Sequence, residues 1–218
     1  MAKVVVFGIS DTAQLAKFYL EGDSEHEVVG FTVSSDYMKG DSYEGLPVVA
    51  WEEVERHYPP SEYKMLVAMV ASGMNKHRRE FYEQGKAKGY DFISYVSSRA
   101  TVLTEDIGEN CFILEDNTIQ PFTKIGDNVV LWSGNHIGHH STIDSHVFFT
   151  SHIVLSGHCH VKEHSFIGVN ATIRDFAVIE EGSLIAMGAV VTKSTVPWDV
   201  YLGNPAKALG KNSVEVYK

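Results

Sequence analysis

From Ile107 onward the chain places an aliphatic or aromatic residue at every sixth position: Ile107, Ile113, Ile119, Ile125, Leu131, Ile137, Ile143, Phe149, Leu155, Val161, Ile167, Ile173, Ile179, Ile185 and Val191. Neither the 3.6-residue period of a helix nor the two-residue period of a strand produces this series. A period of six is the mark of a parallel β-helix. Four residues after each hit stands a mostly small residue, including Cys111, Thr123, Ser141, Cys159, Ser165, Ala171, Ala177, Ser183 and Ala189. The pattern predicts a triangular prism in which each hexad supplies one short strand and one corner. Three hexads close a coil, and each coil buries its end on the next. The large residue fills the interior and the small one turns inward where space is tighter.

The first hundred residues alternate differently. Lys3–Gly8 is a β-branched run ending in glycine and predicts a buried parallel strand. Val28–Val33, Pro47–Val49, Lys64–Val70 and Phe92–Val96 predict further strands, with helices over Asp11–Glu21, Trp51–His57 and about 75–88. Strands alternating with helices predict an open α/β sheet, Rossmann-like in outline, whose ligands bind beyond the carboxyl ends of the strands. The expected organisation is residues 1–100 as this domain, 101–200 as the β-helix and 201–218 as a C-terminal turn and tail.

Composition narrows the function classes. The formal charge is −10, and both domains are acidic, which argues against nucleic acid bound by phosphate neutralisation. No h-region and no apolar run near 18 residues is present, so neither a signal peptide nor a membrane span is expected. Two cysteines, Cys111 and Cys159, cannot build a disulfide framework, and a reducing cytoplasm fits them. They lie 48 residues apart, which is not a multiple of 18, so they line different faces as packing residues.

The turn after the first strand, Phe7-Gly8-Ile9-Ser10-Asp11, lacks the full G-x-G-x-x-G fingerprint, but Gly8 permits a tight turn with a helix N-terminus behind it. Asp36 follows the second strand, where an acid can accept hydrogen bonds from a ribose or base. Asn75-Lys76-His77-Arg78-Arg79 is the densest basic cluster, read either as a solvated helix face or as a phosphate contact.

Eight of the eleven histidines fall between positions 136 and 164. His140, His146, His152, His158 and His164 occupy the fourth place of consecutive hexads, near the corners, where stacking and hydrogen bonding account for them. His139 differs: it is third in its hexad, with Pro121 and Gly157 eighteen residues away on either side. A glycine there leaves room and an open backbone N–H beside the imidazole. A base beside an uncrowded amide donor is what acyl transfer requires: one removes the nucleophile's proton, the other stabilises the oxyanion.

The hexad array, Gly138-His139-His140-Ser141, Ser156-Gly157 and the ending Gly203-Asn204-Pro205-Ala206-Lys207 resemble the bacterial sugar acetyltransferases of the PglD/NeuD type. The resemblance covers essentially the whole chain. It implies a left-handed β-helix after the Rossmann-like domain, a homotrimer, and acetyl-CoA as co-substrate with no metal. It further implies His139 as general base and the Gly157 amide as oxyanion donor. The residue after the base is commonly acidic in that family; here it is His140, and Asp144 or a neighbouring subunit's carboxylate is a candidate replacement for the orienting acid. Acetyl-CoA is expected along a groove between two β-helices at Gly157, Val169, Met187, Gly188, Pro205 and Lys207. The nucleotide sugar is expected at Gly8, Ser10, Asp36 and Asn75.

The first reading is therefore N-acetylation of a UDP- or dTDP-linked 4-amino-4,6-dideoxy sugar for surface glycan or O-antigen (lipopolysaccharide) synthesis. O-acetylation of a sialic-acid-like sugar is the second. A zinc lyase of the γ-carbonic anhydrase type shares the β-helix and uses histidine ligands, but that family lacks the N-terminal domain. A non-catalytic scaffold leaves His139 beside Gly157 unexplained.

Overall fold

The computed structural model describes residues 1–217. Its first part is a five-stranded sheet built from β1 (Lys3–Phe7), β2 (Glu27–Val33), β3 (Ser42–Tyr43), β4 (Leu46–Ala50) and β5 (Lys64–Val67), in the order β3-β4-β2-β1-β5. All neighbours pair in parallel except the β3–β4 hairpin. Helices α1 (Asp11–Asp23), α2 (Val54–His57) and α3 (Lys76–Ala87) complete it. Alternation along β1 gives the sheet two cores. Val4 and Val6 pack with Ala13, Ala16 and Leu20 of α1, whereas Val5 and Phe7 pack with Trp51, Tyr82 and Tyr90.

The second part is a prism of two-residue parallel strands, eighteen residues apart on each of three faces. Together with the hexapeptide pattern this fits the left-handed β-helix implied by the resemblance. Face 1 runs through Phe112–Ile113, Val130–Leu131, Phe148–Phe149, Phe166–Ile167 and Leu184–Ile185. Face 2 runs through Thr118–Ile119, His136–Ile137, Val154–Leu155, Thr172–Ile173 and Val190–Val191. Face 3 runs through Lys124–Ile125, Thr142–Ile143, His160–Val161 and Val178–Ile179. The second residue of each pair points inward, and the small residues of the pattern, from Cys111 to Ala189, are buried beside it.

The first residue of each pair points outward, and here the faces differ. Faces 2 and 3 present mostly Thr, His, Lys and Val. Face 1 presents Phe112, Val130, Phe148, Phe166 and Leu184, and four of these are buried, with Phe166 half-buried. The N-terminal sheet covers that apolar column, so Phe112, Val130 and Phe148 share a core with α1 and β1. Each large side chain covered in this way contributes about 1.5–3 kcal/mol against leaving it in water.

At every corner the fourth residue of the hexad takes a left-handed conformation, with φ from +54° to +79° between Asn110 and Gly188. This region costs most L-residues about 1–2 kcal/mol but is less unfavourable for Asn, Asp and His. Histidine at this position therefore has a conformational reason before it has a chemical one. The eighteen-residue repeat sorts the corner residues into three columns. Asp116, Gly134, His152, Asn170 and Gly188 lie between faces 1 and 2. Phe122, His140, His158 and Phe176 lie between faces 2 and 3. Asn110, Asn128, His146, His164 and Gly182 lie between faces 3 and 1.

Three expectations are corrected. Phe92–Val96 is not one strand of the first sheet: Phe92 bridges to Met65, but Tyr95–Val96 pairs with Phe112–Ile113 and opens the β-helix. The prism therefore starts before residue 101. Val96 and Val102 pair with Ile113 and Ile119 at a spacing of 17, and this one-residue slip hid the first coil from a strict count of six. At the other end, Asp199–Leu202 adds a strand to face 1, and Lys207–Asn212 folds back antiparallel against it before α4 (Ser213–Val216). The expected C-terminal tail is therefore a hairpin and a helical turn. Among the described residues no helix is long and apolar enough to cross a membrane.

Candidate active site

The corner between faces 2 and 3 carries His139 and His140 on the turn after strand His136–Ile137. Its backbone is fixed on both sides. The His139 N–H donates to Gln120 Oε1 at 2.9 Å, the His140 N–H to the Pro121 carbonyl at 3.3 Å, and the His139 carbonyl accepts from the His158 N–H at 2.9 Å. The two imidazoles stand perpendicular, with their Nδ1 atoms 3.0 Å apart. One proton serves both nitrogens, so one ring donates and the other accepts.

Gly157 lies one coil above. A Cβ at that position would stand 2.9 Å from His139 Cε1 and 3.0 Å from Nε2. The Nε2 edge of His139 therefore rests against a bare Cα, which only glycine provides. The Gly157 N–H donates to no acceptor among the described residues. Nδ1 of His139 is thus engaged by Nδ1 of His140, while its Nε2 makes no hydrogen bond among the described residues. Asp144 does not take that part: its Oδ1 is 2.8 Å from His160 Nε2 on face 3. The side chain in reach of His139 Nδ1 is the His140 imidazole.

His140 is held in turn. Phe122, His140, His158 and Phe176 form a ring column at centroid separations of 4.6, 4.8 and 4.9 Å. The two phenylalanines at its ends are exposed, as are all three histidines of the corner.

Of the acetyl-CoA candidates, Gly157 adjoins His139 and the others lie elsewhere. Val169, Met187 and Gly188 stack at the corner between faces 1 and 2, tied by Gly188 N–H donation to the Val169 carbonyl at 2.8 Å. Met187 is 80% exposed, which is unusual for a large apolar side chain with no partner. The exposed Pro205–Lys207 turn is anchored beside face 2, with the Ala206 N–H on the Val190 carbonyl at 2.8 Å. Within one chain, then, these residues and His139 stand on different corners.

The nucleotide candidates divide. A cavity of about 590 Å³ opens at the carboxyl ends of β1, β2 and β5, and both Gly8 and Ser10 line it. Gly8 has φ +125° and a Cβ there would meet the Ala68 carbonyl at 2.8 Å, so this turn requires glycine. Ser10 precedes α1, makes no side-chain cap bond and lines the cavity. Asp36 is exposed on a single helical turn, Ser35–Tyr37, and does not line the cavity; Ser34, Tyr37 and Lys39 do. Asn75 is fully buried and donates to the His164 and Ser165 carbonyls at 3.3 Å each. It joins α3 to the β-helix and is not a cavity residue.

The basic cluster also separates by side chain. His77 lines the cavity with Ser72 and Phe81, Lys76 lies over the Trp198 ring, and Arg79 pairs with Glu83. Arg78 is completely buried. It donates to the carbonyl and to Oδ1 of Asn128, and burial depresses its guanidinium to about 10. Asn128 Oδ1 also accepts from Asn110 Nδ2 at 2.7 Å, so Asn128 Nδ2 is the donor to His146 Nδ1 at 2.9 Å. His146 is thus a neutral acceptor. Burial, the neighbouring His164, and Arg79 and Arg78 hold it down to about 3. The lining residues Tyr37, Lys39, Ser72 and Phe81 escaped sequence reading because no motif marks them, whereas His77 belongs to the basic cluster read as a candidate phosphate contact. For Tyr37, Lys39 and Ser72 the available signal was a position in the loops after β2 and β5; Phe81 lies within α3 and carried none.

Residues 106–139 match the bacterial transferase hexapeptide (six repeats) family. No curated protein sequence matches the chain. Among solved structures, the acetyltransferase domain of PglB from Neisseria gonorrhoeae superposes with a TM-score of 0.83 at 24% identity, over 96% of this chain and 100% of that one. PerB from Caulobacter crescentus, in complex with CoA and GDP-perosamine, gives 0.83 at 20% identity, over 96% and 98%. WeeI from Acinetobacter baumannii gives 0.81 at 23%, over 96% and 100%. The chain shares the fold of these proteins along nearly its whole length.

Proposed function

We propose that the protein is an acetyl-CoA-dependent sugar N-acetyltransferase acting on a nucleotide-linked amino sugar. The observation that carries the reading is the basic Nε2 edge of His139 set against Gly157, with its other nitrogen on His140. Support comes from the shared fold with PerB, whose structure holds CoA and GDP-perosamine, and with the PglB domain, which was also solved with acetyl coenzyme A.

The chemistry follows from the geometry. The sugar amine attacks the thioester carbonyl carbon, forming the C–N bond. Nε2 of His139 accepts the amine proton, and the imidazolium so formed donates from Nδ1 to His140. The Gly157 N–H stabilises the oxyanion. Collapse breaks the C–S bond, and the proton on His139 passes to the departing CoA sulfur. No step requires a metal, so chelators are expected to leave turnover intact. Stoichiometric zinc whose removal abolishes activity would favour the zinc lyase.

Assembly is part of this reading. The N-terminal domain covers face 1, which is opposite the corner that carries His139, and the acetyl-CoA candidates other than Gly157 occupy a third location. One chain alone does not bring the three together. A homotrimer whose neighbouring β-helices form the acetyl-CoA groove completes the site from more than one chain. The N-terminal domain then binds the nucleotide, with phosphate at the first turn of α1, and the β-helix that begins at Tyr95–Val96 carries acyl transfer. The preferred substrate is a UDP- or dTDP-linked 4-amino-4,6-dideoxy sugar, used in surface glycan synthesis in the cytoplasm. The test is acetyl-CoA turnover against UDP-, dTDP- and GDP-linked amino sugars with free sialic acid included. Turnover of sialic acid alone would replace N- by O-acetylation, and an active monomer in light scattering would remove the shared groove.

A further inference from the structure

The corner that carries His139 holds three imidazoles with no carboxylate among them. His139, His140 and His158 each offer a ring nitrogen, and these atoms all lie within 4.8 Å of one another. The closest pair, the two Nδ1 atoms at 3.0 Å, is near the spacing of about 3.3 Å expected between ligands on a tetrahedral ion with Zn–N bonds of about 2.0–2.1 Å. Two lone pairs that now share one proton are therefore placed to share one cation.

The three side chains also come from rigid backbone. His140 and His158 are corner residues with φ of +57° each, and the His158 N–H is tied to the His139 carbonyl. Ordering such backbone costs a ligand nothing further. His158 stacks on His140 with rings 14° from parallel, so it must tilt out of the column to aim its nitrogen at an ion. The ring is exposed, and the tilt exchanges its stacking on His140 and Phe176 at 4.8 and 4.9 Å for a bond to the ion. Three imidazoles and an open fourth position are a ligand set suited to zinc or cobalt(II).

We propose that His139, His140 and His158 form an inhibitory site for a borderline divalent transition metal such as zinc. Binding engages the nitrogens that otherwise hold the proton relay, so the ion and the amine proton compete for the same side chains. The inhibitory half rests on the reading of His139 as base; the binding half does not.

The test uses cobalt(II) and zinc alone, without substrates, followed by turnover. Titration of the chelator-treated full-length protein with cobalt(II) is expected to give the visible absorption of a tetrahedral ion at one per chain, displaced by zinc. His158→Phe keeps the aromatic column, since Phe122 and Phe176 already occupy it, and removes one ligand. It should weaken zinc binding at least thirtyfold in calorimetry while turnover without metal stays near normal. Zinc should inhibit the wild type reversibly, with EDTA restoring activity, and should leave His158→Phe uninhibited at the same concentration. No tetrahedral cobalt spectrum, or equal zinc affinity in wild type and His158→Phe, would overturn the site. Stoichiometric binding lost in His158→Phe, together with wild-type turnover that zinc does not touch, would uphold the site and instead remove His139 as base.

Discussion

Two corners of the same prism carry stacked histidines at equivalent hexad positions and surround them in opposite ways. Between faces 2 and 3, His140 and His158 are exposed, and His139 stands edge-on to both. Between faces 3 and 1, His146 and His164 stack at 5.8 Å but lie buried under α3 among Arg78, Arg79 and Asn75. Residue type, backbone conformation and stacking are shared. The difference is what covers each corner: solvent in one case, a cationic helix in the other. Burial beside two guanidiniums fixes His146 as a neutral acceptor, whereas the imidazoles of the other corner stand open to solvent. Clustering of histidines along a sequence is thus no guide to chemistry until the eighteen-residue repeat has sorted them into columns.

The sharpest way to separate the corners is to remove one histidine from each. His139→Asn should lower kcat by about 10²–10⁴-fold with little change in KM and no loss of stability. His164→Asn, acceptable to the left-handed backbone, should do the reverse, lowering the melting temperature while kcat holds. Steady-state kinetics with thermal unfolding on both variants decides, and near-normal kcat in His139→Asn would mean the wrong imidazole was chosen.

Arg78→Ala attacks the buried corner at its centre. It strips the Asn128 carbonyl of its guanidinium donor and leaves Oδ1 only the bond from Asn110 Nδ2, and an orphaned buried carbonyl costs about 1–3 kcal/mol. The melting temperature should fall by about 5–10 °C for a chain of this size. A shift within error in calorimetry would show the interface to be held by the face 1 core alone.

Returning to the exposed corner, His140→Phe removes the acceptor of His139 Nδ1 but keeps the ring column. A hydrogen bond to a charged group contributes about 1.5–3 kcal/mol, so kcat should drop about 10- to 100-fold at unchanged KM. His140→Asp, which restores the acid common in the resembled family, should recover part of that loss. Equal activity in wild type and His140→Phe would end the orienting role.

The smallest expected effect is in pH. His146 is depressed to about 3 and His164 is also lowered, both chiefly by burial. Above about pH 6.5 neither the folded nor the unfolded chain protonates them, so they add no pH dependence there. Below it the unfolded chain takes up protons that the folded one refuses, and stability falls with pH toward about 3. The decline between pH 6.5 and 4.5 should be shallower in His146→Asn. An identical slope would mean that other groups govern acid unfolding.

Much of this was readable in advance because the β-helix is a one-dimensional object. A six-residue period fixes which side chains point inward and which turn the corner, and from it the array Ile113 to Val191, the inward Cys111 and Cys159, and the neighbouring positions of His139 and Gly157 all follow. Gly8 and Ser10 were legible for a similar reason, as the turn after a first strand. What lay beyond the sequence was every relation set by packing between units. Asn75 and Arg78 read as part of a basic cluster, but tertiary contact made them buried bridges to Asn128, His164 and Ser165. Asp36 met a local rule, yet the course of the chain after β2 brought Tyr37 and Lys39 to the cavity in its place. Asp144 was near His139 in sequence, but the corner between them turned it onto face 3, toward His160. A repeat encodes position along its own axis, since each residue's neighbours stand at a fixed offset; which column is covered and which is open depends on where a second domain finds an apolar face to bury.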